Sequence, residues 1–540
     1  MANAPDPFST ILAQAEKVGP ALTRFARDAG EAEMVGIVLR SVSDWAAKRI
    51  DAPAIDESHR IPPELLAEAA ELGLFGMTIP EAHGGFALSM TAACRVVEEL
   101  ALFDRSVATA IGLHCGLGLR GLIHHANPTL QAATLPAMAT GDKIGAFAAT
   151  EPGAGSHIAG MKTTGKVQED GSIVLNGQKI YVTNGGFADY YTVVAKTPGL
   201  AGARRGWSLF LLHRDDPGLS VGAEEHKLGI RGSSTTTLSL DDVRVGMDRI
   251  IGEPSNGLEA FHEILAWGRT MMAAGCLGSA RAAYKLTLGQ VTSREQFNRP
   301  IGHFGQVREK MADMRATIYA MESLVRLVTV CQEHLGMDIN FVSSVAKIFN
   351  SEGSWQVADD ALQLHGGSGY VEETGVARIL RDARITRIFE GANEVLRFNL
   401  AALALGGVNE AHEVALLAPC VRHPELAAAA AVHDDAAQRI QDAAKALLDR
   451  YGFKAFERQM LLKGIADAQI ARTLLLAVVL RTDAELRAGE GVVAAQALRL
   501  TRYLAGKCQR AIDAGLAATL RAEEEDLVTA ITACEYDQVD

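Results

Sequence analysis

The feature that most restricts how this chain can fold is a change of hydrophobic period in its middle. From the start to about residue 143, apolar residues recur every three or four positions, as at Leu65, Leu66, Ala69 and Leu72 and around Val97, Leu100 and Leu102. That is the stripe of helices packed through one face. Between 144 and 252 the pattern becomes short runs rich in β-branched and aromatic residues: Ser172 to Leu175, Lys179 to Thr183, Tyr190 to Lys196, Trp207 to His213 and Thr235 to Leu240. Asn176-Gly177, between the first two, reads as a two-residue hairpin turn because both residue types tolerate positive φ. After Gly257 the helical period returns, most clearly at Met311, Met314, Ile318, Met321, Val325 and Val328, a stripe read as core.

The chain is therefore expected to be α+β and mainly α. An N-terminal helical domain spans 1–143, a middle β domain 144–252, a second helical domain 253–405, and a connector with a helical extension 406–540. Gly406-Gly407 and a stretch through Pro419 and Pro424 mark the last boundary. Within the extension, Met460 to Leu476 reads as a buried helix and Glu523 to Asp526 as a solvated acidic run. A chain of 540 residues exceeds what one core usually serves. Its net charge of -13 offers no electrostatic footprint for nucleic acid. The seven cysteines are scattered without a Cys-x-x-Cys pair, which reads as reduced thiols in a cytoplasmic protein with no metal site. No secretory signal is read at the N-terminus. The longest apolar candidate, Leu474 to Leu480, is too short to span a bilayer.

Several stretches carry groups suited to chemistry. Residues 378 to 399 place four arginines before a carboxylate, Glu390, set between Phe389 and Gly391. Partial desolvation there would raise its pKa and make it a proton acceptor, and the glycine would let a substrate approach the backbone. The same residue also reads as a surface glutamate in the first turn of a helix. Phe147 to Ser156 is a Gly-rich loop after a strand, where the hydroxyls of Thr150 and Ser156 and the N–H groups near Gly153 and Gly155 could grip a nucleotide cofactor; it also reads as an ordinary turn. Tyr181 to Gly186 offers an aromatic wall and the Thr183 hydroxyl, and Gln363 to Tyr370 a second Gly-rich stretch. Arg294 at a helix end suits either a pyrophosphate or the helix dipole. None of these is a dinucleotide fingerprint, so NAD is not inferred.

In this order and spacing the pieces resemble the acyl-CoA dehydrogenase family from about residue 35 to 405. The resemblance rests on Thr-Glu-Pro-Gly-Ala-Gly-Ser, Leu-Asn-Gly-x-Lys-x-Tyr-Val-Thr-Asn-Gly-Gly, Gly-Ile-Arg-Gly-Ser-x-Thr, Arg-Glu-Gln-Phe-x-x-Pro-Ile and Ile-Phe-Glu-Gly. The extension, opening near His423-Pro424-Glu425-Leu426, is similar to that of the very-long-chain branch. The resemblance implies a helical domain, a β-barrel and a four-helix bundle that bind FAD at a subunit interface. It implies that Glu390 removes the α-proton of an acyl-CoA thioester while hydride passes from the β-carbon to flavin N5. Gly268, before Arg269, stands where other branches carry the base. The cofactor would be held by Phe147, Ala149, Thr150, Ser156, Tyr181, Thr183, Ala392 and Glu394, and across the interface by Arg294, Gln296, Phe297, Gln363, Leu364, Gly366 and Gly367. The substrate would meet Ser156, Arg269, Phe389 and Gly391. Ala108 and Gly112 would leave a deep acyl tunnel, or else pack two helices closely.

The resemblance further implies long-chain substrates in fatty acid β-oxidation, an electron-transfer flavoprotein as acceptor and a homodimer in preference to a tetramer. The short connector at 406–424 does not carry over the membrane hairpin of the very-long-chain enzymes. His157, Gly246, Ala266, Asn298 and Ala392 depart from the family pattern, Ala266 at a position that helps hold the CoA adenine. Two other readings stay open: a binding or assembly protein of weak activity, and an oxygen-using acyl-CoA oxidase.

Overall fold

The computed structural model describes residues 6–202, 206–409, 414–489 and 491–536. The chain opens with α1 (Pro7–Ala13), α2 (Ala15–Leu22), α3 (Ala29–Arg49), α4 (Ala52–Ser58) and α5 (Pro63–Glu71). Then come α6 (Met90–Phe103), α7 (Arg105–Leu113), a π-helical turn His114–Gly118, α8 (Leu119–His125) and α9 (Pro128–Ala139). Asp28, Ser89, Asp104 and Asn127 each accept a hydrogen bond from the backbone N–H three residues on, which caps α3, α6, α7 and α9.

The continuous run Arg105–His125, and not Leu474 to Leu480, is the one helix long and apolar enough to cross a bilayer by length and composition among the described residues. It lies 83% buried inside the protein. The π turn within it seats the sheet. His114, fully buried, accepts from the Gly145 N–H on Nδ1 at 2.9 Å and lies 3.2 Å through Nε2 from the Phe75 carbonyl. Burial holds its pKa down at about 4, so it is a neutral bridge.

The middle layer is an eight-stranded mixed sheet of β1 (Gly145–Ala148), β2 (Thr164–Val167), β3 (Ile173–Thr183), β4 (Tyr190–Lys196), β5 (Trp207–His213), β6 (Leu219–Val221), β7 (Thr235–Val245) and β8 (Ile250–Ile251). Its order is β6-β7-β3-β2-β4-β5-β8, with β1 parallel to β4. The edge strands β6 and β8 do not pair with each other, so the sheet is open along that seam. The hairpin expected at Asn176-Gly177 is absent: both residues lie inside the single strand β3, at a bulge against β7. Asn176 exchanges two hydrogen bonds with Asp242, at 2.8 and 3.0 Å, in place of making a turn. Gly177 has φ of 153°, and a Cβ there would sit 2.4 Å from Thr163 Oγ1.

Next come α10 (Gly257–Ser293), the short pair β9 (Glu295–Gln296) and β10 (Arg299–Pro300), α11 (Gly305–Leu335), α12 (Asn340–His365), α13 (Val376–Arg384) and α14 (Asn393–Gly406). Helices α10, α11, α12 and α14 form the bundle, and the Met314, Ile318, Met321, Val325 and Val328 stripe is buried within it. The extension holds α15 (Ala427–Tyr451), α16 (Gln459–Ala488), α17 (Val492–Ala518) and α18 (Ala522–Tyr536). One continuous apolar core runs from Phe8 and Leu22 through Val328 and Leu400 to Leu426 and Leu475. The extension thus completes the bundle; it is not a tethered module. Glu525, read as part of a solvated run, is buried, because it accepts from the Met460 N–H at 3.0 Å and faces Arg458 at the start of α16.

Helices α16 and α17 cross at two glycines. A Cβ on Gly464 would lie 2.1 Å from the Gly515 carbonyl oxygen, so backbone must move to admit it. Gly464→Ala is expected to destabilise the extension by about 1–3 kcal/mol, read as a lower thermal midpoint in calorimetry. An unchanged midpoint would show that the crossing tolerates the methyl.

Candidate active site

Glu390 lies in the short turn between the 3-10 turn Ile385–Arg387 and the start of α14. Glu390 is half-buried and precedes the helix, and its Oε2 has neither solvent exposure nor a hydrogen-bond partner. Its φ is 58° and that of Gly391 is 92°. A non-glycine residue in that region is strained and persists only where its surroundings over-determine it. Here Arg269, buried on α10, donates from Nε to the Glu390 carbonyl at 3.2 Å. Lys347, fully buried on α12, donates to the Gly391 carbonyl at 2.7 Å and to Asn393 Oδ1 at 2.6 Å.

The carboxyl pKa is raised to about 7 by burial, opposed by the charges of Arg269 and Lys347. The cations that face it are not the four arginines that precede it in sequence. Arg381 is taken up by Asp56, at 2.6 and 3.0 Å, and Arg384 lies over the Trp355 ring. Lys347 and Asn393 escaped the sequence reading, because nothing in the one-dimensional pattern separates Lys347 from a solvated lysine on α12.

Gly268 faces the same point. A Cβ there would lie 3.1 Å from Glu390 Oε2 and 2.3 Å from Leu117 Cδ2. The two positions that the resemblance offers for a base thus converge in space, and glycine at 268 leaves room for Glu390. Phe389 packs against the bundle core around Met272 and Cys276.

A second group of expected residues gathers at the sheet. The Ile180 N–H donates to the Thr150 carbonyl at 2.9 Å, which sets the loop after β1 beside the end of β3. Thr150 and Thr183 are half-buried, and Ser156 and Tyr181 are exposed. The loop is braced by Glu151, which accepts from the Thr163 N–H at 3.0 Å and from Lys179 Nζ at 2.8 Å. Lys179 also donates to the Ala149 carbonyl at 3.1 Å. The Phe147 ring is buried against Phe261, with centroids 5.9 Å apart, at the end of β1 that leads into the loop.

The third group sits at one end of the bundle. Helices α10, α11 and α12 alternate in direction, so the C-terminal ends of α10 and α12 lie together. Arg294, Gln296, Gln363, Gly366 and Gly367 are exposed there, and Leu364 is half-buried. Phe297 is 87% exposed in the turn between β9 and β10. Asn298, a departure in sequence, has φ of 63°, a conformation asparagine accepts more readily than most residues. Ala392 heads α14 without a side-chain cap, and Glu394 is exposed in its first turn. Ala266 is buried at 1% exposure and presents no surface to a ligand.

Ala108 and Gly112 are both buried on α7, and a Cβ on Gly112 would lie 3.3 Å from Val97 on α6. At Gly112 the small side chain serves close helix packing. The Gly229-Ile230 motif is a brace: a Cβ on Gly229 would strike the Arg381 backbone at 2.3 Å, and the Ile230 N–H donates to Asp382 at 2.5 Å. It locks the sheet domain onto α13, which leads to Glu390.

Comparisons with known proteins follow the same division. Three family models match: acyl-CoA dehydrogenase N-terminal domain over residues 35–142, middle domain over 146–243 and C-terminal domain over 255–405. A Mycobacterium tuberculosis protein described as probable acyl-CoA dehydrogenase FadE25 is 38% identical over 346 residues, 64% of this chain and 88% of its own length. The mitochondrial very long-chain specific acyl-CoA dehydrogenase of Bos taurus is 32% identical over 451 residues, 83% of this chain. The match spans 66% of the length of that bovine protein. Among solved structures, an acyl-CoA dehydrogenase complexed with FAD from Bacillus anthracis superposes with a TM-score of 0.83 at 29% identity, covering 91% of this chain and 88% of its own. Butyryl-CoA dehydrogenase from Megasphaera elsdenii gives a TM-score of 0.66 at 33% identity, covering 69% of this chain and 98% of its own. With an occluded carboxylate over Gly268, the motif loops of the sheet and all three domains matched in order, the chain belongs to the acyl-CoA dehydrogenase family.

Proposed function

We propose that this protein is an FAD-dependent acyl-CoA dehydrogenase that converts long-chain acyl-CoA thioesters to trans-2-enoyl-CoA in fatty acid oxidation. The observation that carries the reading is the half-buried Glu390 carboxylate, enclosed and unpartnered at Oε2 and set in a strained turn that two buried cations hold. The residues present fit FAD. Thr150 and Ser156 offer hydroxyls on the loop after β1 and Thr183 at the end of β3, and Gly153, Gly366 and Gly367 have nothing within 4 Å of where a Cβ would stand. The exposed Arg294, Gln296 and Phe297 suit a cofactor shared with a second copy of the chain. FAD, when bound, supplies the acceptor for the hydride leaving the β-carbon.

The chain's own part is proton removal and exclusion of water. Glu390 takes the α-proton as a carboxylate, which requires a pH above about 7 in the ligand-free protein. Its N–H and the Gly391 backbone border the place where the thioester oxygen gains charge. Long-chain preference rests on the bovine relative, not on Ala108 and Gly112. We further assign an electron-transfer flavoprotein as acceptor, a homodimer, and a cytoplasmic location.

The test is an anaerobic titration of the purified protein with thioesters of increasing chain length, followed by flavin absorbance. Bleaching by long thioesters, with slow reoxidation in air, supports the dehydrogenase. Rapid peroxide formation would turn the reading to an oxidase, and absence of bleaching to a binding protein.

A further inference from the structure

Lys347 makes no ion pair among the described residues, although an ammonium group without exposed surface is costly to bury unpaired. Both of its acceptors, the Gly391 carbonyl and Asn393 Oδ1, lie just after Glu390. The preceding carbonyl, that of Glu390, is taken by Arg269. Two successive peptide planes of a strained turn are thus each held by a buried cation. The other charged or titratable groups around Lys347 are Arg269 and Cys276 on α10 and Glu352 on α12. Glu352 is already engaged by Arg397, at 2.7 and 2.8 Å, and by Asn393 Nδ2 at 3.0 Å. Glu390 is the carboxylate left for Lys347.

Resting on the reading of Glu390 as the base, we propose that Lys347 is a positioning residue for it: it locks the Glu390-Gly391 turn and supplies the positive neighbour that keeps the carboxylate ionised. The direction of the charge effects agrees. Burial drives the Glu390 pKa up, and the positive charges of Arg269 and Lys347 hold it at about 7. Burial brings Lys347 down to about 8, with Glu390 the main group opposing that fall. Removing Lys347 therefore raises the Glu390 pKa further and lowers the fraction of carboxylate at neutral pH.

The test compares Lys347→Met, which loses both charge and donor, with Lys347→Gln, which loses the charge but keeps a donor and guards against a Met variant that fails to fold. The readout is the protonated-carboxyl infrared band of the purified protein as a function of pH, assigned by its absence in Glu390→Gln. Its midpoint is expected to rise by about one pH unit in both variants, the scale of a nearby opposite charge. The acid limb of flavin reduction by a long thioester should move the same way. At high pH, Lys347→Gln should keep more of the wild-type rate than Lys347→Met, because it can still hold the Gly391 carbonyl. A midpoint that stays in place in both variants overturns the proposal. The infrared midpoint needs no turnover, so it decides the role of Lys347 even if wild-type protein bleaches with no thioester, an outcome that would sink the dehydrogenase reading instead.

Discussion

Glu390→Gln is expected to slow thioester-driven flavin reduction by about 10²–10⁴-fold, the range lost with a general base, while thioester binding is retained. The amide keeps the shape that fills the space over Gly268 and removes only the proton-accepting charge. Rapid-mixing absorbance under anaerobic conditions measures the rate, and spectral perturbation of the bound flavin measures binding. A variant that reduces at the wild-type rate would remove Glu390 from the chemistry. The same substitution carries a stability signature of opposite sign. The folded-state pKa is raised from 4.5 to about 7, so the folded protein holds this proton more tightly than the unfolded chain does. The contribution of Glu390 to stability falls as pH rises from about 4.5 and levels above about 7, by on the order of 3 kcal/mol. Glu390→Gln should therefore unfold at a higher temperature than wild type at pH 8 and at a similar temperature near pH 4.5.

Glu322→Ala is expected to destabilise the protein by about 3–5 kcal/mol, because it leaves buried Arg326 without its carboxylate, while Arg281 and Arg481 keep Glu98 and Glu485. Glu322 receives Arg326 at 2.6 Å, Arg281 at 2.9 Å and Arg481 at 3.1 Å, from α11, α10 and α16. It therefore joins the bundle to the extension. Those guanidiniums hold its carboxyl well below the usual range despite burial. The sign follows: its contribution is fully present above the unfolded value of 4.5 and is lost only as pH falls through the much lower folded value. The gap in unfolding midpoint between wild type and variant should be constant from pH 6 to 8. Calorimetry is the appropriate measurement, since several domains need not unfold as one unit. A midpoint unchanged from wild type would mean that the three arginines find water or other partners without Glu322.

The readings that held were those set by local physics. Tyr190–Lys196 and Trp207–His213 are strands with the bounds read from sequence, because alternation and β-branching act within a few residues. The Met314 to Val328 stripe is buried because a 3.6-residue repeat keeps those side chains on one face of α11, which packs into the core. Asn176-Gly177 failed because the same residues suit a turn and a bulge, and only pairing with β7 chooses between them. Glu525 failed in the same way: its charge predicts solvent, but the start of α16 offers it a backbone N–H and an arginine.

At the candidate site the division is similar. Glu390 and Gly391 were legible because the chemistry needs those residue types side by side, and the motif order pointed to the family. Which cations face the carboxylate was not legible. The four arginines next to it in sequence turn to Asp56, Trp355 and other neighbours, while Arg269 and Lys347 arrive from helices far along the chain. The amino-acid sequence by itself determined the succession of helical, β and helical regions and singled out Glu390 as the candidate base, since periodicity and residue chemistry are local properties. Only the tertiary structure decided how far that base is desolvated and which charges tune it, because burial and Coulomb interactions depend on distance in space and not on distance along the chain.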